Sequence, residues 1–160
     1  IYSKIKLKDE RKEFLDKSIY ITLYKSGFYV FKNNPWFGVG NKNYRIETCD
    51  PKKNSIQKEY RCLTHPHQIY FELLSEHGLI GTIVILYTFF VLIFKNLRVI
   101  INSQNYLQIG AFTFLICNFL PFIPSGSFFS DFNMSLFILN LSILYAVNKK
   151  TNIFFKESSK

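Results

Sequence analysis

The sequence predicts an all-α membrane protein in which a long loop containing short helices precedes three transmembrane helices. Three observations predict it. From Leu79 to Ala146 the only charged residues are Lys95, Arg98 and Asp131, whereas the stretch from Ile1 to Gly78 is dense in Lys, Arg, Asp and Glu. Apolar runs approaching about 20 residues recur in the second half without a charge, and lipid offers no partner to a charge or a free backbone group. Prolines and basic residues fall between those runs, where a chain leaves the bilayer. The 48% hydrophobic content therefore averages two dissimilar halves, and class is read segment by segment.

Glu13 to Asn33 mixes apolar and polar residues with tyrosines and phenylalanines, the pattern of a helix lying on the membrane surface or packed on a bundle. Asn34-Pro35 and Gly38-Val39-Gly40 then punctuate a tight loop. A polar excursion runs from Asn41 to Cys62, and a helix from about His67 to His77 leads into the first span. That span is expected over Leu79 to Phe94, with His77 and Lys95 at its interfaces. KNLRVIINSQNY reads as a short hydrophilic turn. The second span is expected near Leu107 to Phe122, where Pro121 and Pro124 end it, and the third over Phe132 to Val147.

Lys95 and Arg98 lie in the first connection and Lys149 and Lys150 just past the last span, while PFIPSGSFFSDFN carries no basic residue. Lys and Arg in short loops mark the cytoplasmic side. Residues 1–78 are then expected as a periplasmic loop, 79–148 as the three-span region and 149–160 as a cytoplasmic tail. The basic first segment is compatible with this, because long translocated loops are largely exempt from the charge rule. A polar segment preceding three spans needs upstream helices to carry it across, and the only methionine is Met134. The chain is accordingly expected to be the C-terminal portion of a longer polytopic protein.

The most informative stretch is Thr64-His65-Pro66-His67-Gln68-Ile69-Tyr70-Phe71-Glu72-Leu73-Leu74-Ser75-Glu76-His77-Gly78-Leu79-Ile80-Gly81. It resembles the signature of the O-antigen ligase family, in which His followed by Asn, Ser or Gln precedes nine residues and then a Gly at the top of a membrane helix. His67, Gln68 and Gly78 fill those places. Upstream, Asn34, Pro35, Gly38 and Gly40 are similar to the family's Asn-Pro-x-x-Gly-x-Gly element in the same loop. The resemblance implies a multi-pass glycosyltransferase of the bacterial inner membrane with its catalytic loop in the periplasm. The implied donor is an undecaprenyl-diphosphate-linked glycan. The implied acceptor is lipid A-core, a growing polysaccharide or a protein hydroxyl. Membrane lipids are further partners; no nucleic acid, cofactor or metal is expected, and this portion alone is expected to be inactive.

The residue types suit that chemistry. A sugar hydroxyl is a weak nucleophile, and an imidazole with a pKa near 7 can take its proton as it attacks the anomeric carbon. His67 is the candidate base, with Gln68 beside it in contact with substrate. The departing lipid diphosphate gains negative charge, which guanidinium groups stabilise in bidentate fashion. Arg45 and Arg61 are the candidates, with Lys42 as a third; their alternative role is to neutralise lipid head groups. Family members often carry an arginine ahead of the Asn-Pro element, but Ser18 to Tyr24 has none. Lys17, Lys25 or Arg11 is left as the replacement, and Lys binds a diphosphate as a point charge rather than a fork.

Two alternatives accompany these assignments. His65, His67 and His77 with Glu72 are residue types that hold zinc. A non-catalytic transporter or flippase that binds the same lipid-linked glycan is the rival function, although intramembrane charges typical of such paths are nearly absent. Cys49 and Cys62 flank the polar excursion on the face assigned to the periplasm, where disulfides persist, whereas Cys117 lies in an expected span. The expectation is a Cys49–Cys62 bridge, with two free thiols as the alternative.

Overall fold

A computed structural model describes residues 18–121 and 123–152, and every regular element among them is a helix. The all-helical expectation holds. The chain divides into two compact units, residues 1–82 with 124–127, and residues 83–123 with 128–160.

In the first unit, α1 (Ile19–Asn33) ends at Asn34, because the following Pro35 disfavours helical backbone in the residue before it. Leu23, Ser26, Gly27 and Val30 recur at helical spacing and form its buried face. Gly27 permits a close approach: a Cβ there would stand 2.8 Å from the Pro66 Cβ and 3.0 Å from that of Phe71. Glu13 to Lys17, the start of the expected helix, and Arg11 lie outside the described residues.

The polar excursion contains two short helices, α2 (Tyr44–Cys49) and α3 (Pro51–Ile56). Asp50 separates them and caps α3 by accepting a hydrogen bond from the Lys52 N–H, with Pro51 at the first helical position. Val30, Tyr44 and Tyr60 form a buried cluster flanked by Tyr29 and Val39. The Tyr44 hydroxyl donates to Ser26 Oγ at 2.7 Å, and burial pushes that phenol up to about 12.

Cys49 and Cys62 are joined in a disulfide that closes the excursion around α3. Unreduced full-length protein is expected to yield the two cysteines as one linked peptide pair in mass spectrometry, and recovery of both as free thiols would refute the bridge. Replacing either with serine is expected to cost up to about 3 kcal/mol, the scale for a closed loop of this order.

The helix α4 (Ile69–Phe94) opens on Gln68, whose Oε1 accepts from the Phe71 N–H at 3.0 Å. It is interrupted at Gly78, where φ is 64° and ψ is −170°. Among the described residues, one helical stretch, Ile69–Asn102, is long and apolar enough to cross a membrane. It extends into the expected hydrophilic turn, because beyond residues 95–96 the Leu97–Asn102 segment is again helical (α5).

In the second unit, α6 (Tyr106–Cys117) and α7 (Asp131–Ala146) pack on each other. At 12 and 16 residues they are shorter than the roughly 20 that a hydrocarbon crossing needs. The expected second span to Phe122 stops early: Asn118 turns back to hydrogen-bond the Phe114 carbonyl at 2.8 Å. Phe89, Phe119, Phe128 and Phe137 meet in tilted and edge-to-face pairs with centroids 4.8 to 6.1 Å apart. Ile83, Val84, Tyr87, Val91 and Phe94 stay exposed along α4 as an apolar outward face.

Candidate functional site

The site is built around the break in α4. Interrupting a helix strands amides and carbonyls on either side, and buried backbone groups require partners. The Asn34–Gly40 loop supplies them. Val39 and Gly40 N–H groups donate to the Ser75 and Glu76 carbonyls at 3.0 and 2.8 Å, and the Leu79 and Ile80 N–H groups donate to the Pro35 and Trp36 carbonyls at 2.8 and 3.3 Å. Four hydrogen bonds thus join the two motifs read separately in the sequence. Gly38 and Gly78 sit face to face at φ 66° and 64°. A Cβ on Gly38 would lie 2.4 Å from the Glu76 backbone, and one on Gly78 would lie 2.4 Å from the Trp36 backbone.

Below the break, Gln68, Glu72 and Glu76 recur every fourth residue on one face of α4, exposed by only 3, 1 and 2%. Glu76 receives the Lys42 N–H at 3.0 Å and the Tyr44 N–H at 3.4 Å, which fixes the start of α2. Burial raises its pKa, and the two amide bonds oppose that shift. Glu72 Oε1 accepts from Ser127 Oγ at 2.6 Å.

His67 precedes α4 in a left-handed backbone conformation, φ 57°, that a non-glycine residue rarely takes. Its carbonyl accepts from the Ser125 N–H at 2.9 Å, so residues 124–127 grip both His67 and Glu72. The imidazole is partly buried, with the His65 ring centroid 4.1 Å away. Burial lowers the His67 pKa, the neighbouring His65 lowers it further, and the Glu72 carboxylate opposes both. Burial likewise lowers His65 and His77. A neutral imidazole with an unprotonated nitrogen is what a base at neutral pH requires.

The other expected residues are placed differently. Gln68 is buried, and its side-chain oxygen is engaged as the α4 cap. Lys42, Arg45 and Arg61 are exposed, and the Arg61 guanidinium donates to the Lys58 and Tyr60 carbonyls at 3.1 and 3.2 Å. Lys25 is exposed on α1, and Lys17 and Arg11 lie outside the described residues. Among the described residues no three His, Cys, Asp or Glu side chains converge to hold a metal ion, so the His65, His67, His77 and Glu72 set does not form a ligand cage.

Sequence reasoning missed the roles of Glu76 and Ser127. The spacing of Gln68, Glu72 and Glu76 was the available signal: polar residues repeating at four just before an apolar run mark a buried polar face.

A family model described as O-Antigen ligase matches residues 4–86, a stretch that includes both glycine motifs and the histidine. The chain belongs to the O-antigen ligase family. The match spans the Asn34–Gly40 loop, His67 and the break at Gly78, and ends within α4. Such ligases are membrane-associated and glycosyltransferase-like. No curated protein and no solved structure matches the chain.

Proposed function

We propose that the full-length protein transfers a glycan from an undecaprenyl-diphosphate donor to lipid A-core, a growing polysaccharide or a protein hydroxyl. The single observation that carries this reading is His67: a partly buried imidazole, its backbone held by Ser125 beside the buried Glu72, at the head of the helix that turns apolar beyond Gly78. In the proposed step the acceptor oxygen attacks the anomeric carbon from the face opposite the diphosphate. The carbon–oxygen bond to the lipid diphosphate breaks, the acceptor proton passes to His67, and the anomeric configuration inverts. Arg45, Arg61 and Lys42 are the proposed source of positive charge for the leaving diphosphate, which removes the need for a metal.

The same reading places residues 1–78 in the periplasm, 79–148 in the inner membrane and 149–160 in the cytoplasm. Exposed Trp36, held against Gly78 by the loop, supports an interface at that level, since amphipathic Trp favours the head-group region. Cysteine labelling in intact cells is expected to modify position 54 from outside. Labelling only after inner-membrane permeabilisation would overturn this topology. For the reaction, full-length protein with purified lipid-linked donor is expected to keep its transfer rate in excess EDTA. Inactivation by EDTA that zinc reverses would instead assign a metal-dependent reaction.

A further inference from the structure

In the second unit, Arg98, Val99, Asn102, Ser103, Asn148 and Lys150 line a cleft of about 320 Å³. We propose that this cleft binds the phosphate of an anionic phospholipid head group. The inference rests on the reading of residues 79–94 as a membrane span and concerns a different part of the chain from His67.

Two observations carry it. The first is uncompensated charge. Among the described residues of this unit the sole acid is Asp131, which begins α7, whereas Asn148 and Lys150 follow its other end. Sixteen helical residues put roughly 24 Å between those ends. Among the described residues of the unit, Arg98 and Lys150 therefore line one cleft without a carboxylate beside them. Lysine after a helix is often explained by the negative end of the helix dipole. Arg98 is not, because it lies in the first turn of α5.

The second observation is a rigid, hydrogen-bonding back wall. Gln108 is fully buried; its Nε2 donates to the Leu144 carbonyl at 2.8 Å and Thr151 Oγ1 at 3.0 Å. Its Oε1 accepts from Ser103 Oγ at 3.1 Å and Asn148 Nδ2 at 3.4 Å. One buried amide thus ties together two residues of the cleft that come from opposite ends of the unit. Two cations beside the side-chain amides of Asn102 and Asn148 suit an anion with several acceptor oxygens. The cleft lies beyond the last apolar residues of both α4 and α7, the depth at which a bilayer presents its phosphates.

The test uses the full-length protein. Resistance of the membrane-bound protein to alkaline carbonate extraction checks the span itself. Protein purified in mild detergent is then mixed with phosphatidylglycerol or phosphatidylcholine and examined by native mass spectrometry, beside an Arg98→Gln/Lys150→Gln variant. Both side chains are exposed, so the variant keeps its packing. Wild type is expected to retain phosphatidylglycerol in preference, and the variant to lose that retention by about tenfold or more. Equal retention of the two lipids, or unchanged retention by a carbonate-resistant variant, would overturn the site while leaving the span intact. Full displacement of phosphatidylglycerol by millimolar inorganic phosphate would assign the cleft to a free anion and overturn the lipid. Release of wild type into carbonate would overturn the span and this proposal with it.

Discussion

Replacing His67 with alanine is expected to lower the proposed transfer rate of the full-length protein by about 10²-fold to 10⁴-fold while donor binding persists, the range for loss of a general base. The side chain is only partly buried and its hydrogen-bonded backbone is retained in the variant, so the loss is in chemistry rather than folding. His65→Ala is expected to be milder, because its ring borders His67 rather than opening the helix. The pH profile carries a second signature. Burial sets the His67 pKa below its ordinary value of 6.5, so the base stays neutral as pH falls through that value, and activity declines only at more acidic pH. Glu72→Gln removes the nearby negative charge that opposes this shift, and should move the acid limb further down. Rates measured with purified lipid-linked donor check these outcomes. Turnover near wild type in His67→Ala would remove the base assignment.

Gly78→Ala is expected to destabilise the protein by about 3–5 kcal/mol, or to prevent its accumulation. Two costs combine. The backbone at φ 64°, ψ −170° lies in a region essentially reserved for glycine, worth about 1–3 kcal/mol to any other residue. The added methyl meets the Trp36 carbonyl and the Phe37 nitrogen at 2.4 Å, and overpacking against backbone costs about another 1–3 kcal/mol. Relief requires the loop to withdraw, which strands the Leu79 and Ile80 amides. Gly110→Ala is the matched control: it lies within α6 with nothing inside 4 Å of the new methyl, and should be neutral or stabilising by up to about 1 kcal/mol. Thermal unfolding in detergent compares the two. Equal stability would sink the close-approach account.

Much of this was legible in the sequence, for identifiable reasons. The helix break needs a residue without a Cβ, so Gly78 and Gly38 show as spaced glycines even when their pairing does not. The apolar run of α4 shows because lipid or core burial leaves no room for charge. Pairing across forty residues was hidden, because main-chain hydrogen bonds between Pro35–Gly40 and Ser75–Ile80 leave no mark on side-chain identity apart from the glycines. The grip of Ser125 and Ser127 was equally hidden: serine suits turns anywhere, and nothing local names its distant acceptor. The end of α6 was overread because apolar composition continues past Asn118, whose side chain turns back to the Phe114 carbonyl, whereas α7 covers almost the residues expected of it.

The disulfide-closed excursion has a consequence for how this architecture diversifies. No residue of α3 is buried, and the chain enters and leaves that region through the bridged pair Cys49 and Cys62. Insertions or deletions within α3, ahead of the buried Tyr60, leave the hydrogen bonds at the helix break and the grip on His67 unchanged, and each doubling of a flexible loop costs only about 0.6 kcal/mol. A change of even one residue between Pro35 and Gly40, by contrast, shifts every one of those bonds out of alignment. Divergence in length among related chains should therefore collect in α3, a segment that can change without disturbing the joined motifs around Gly38 and Gly78.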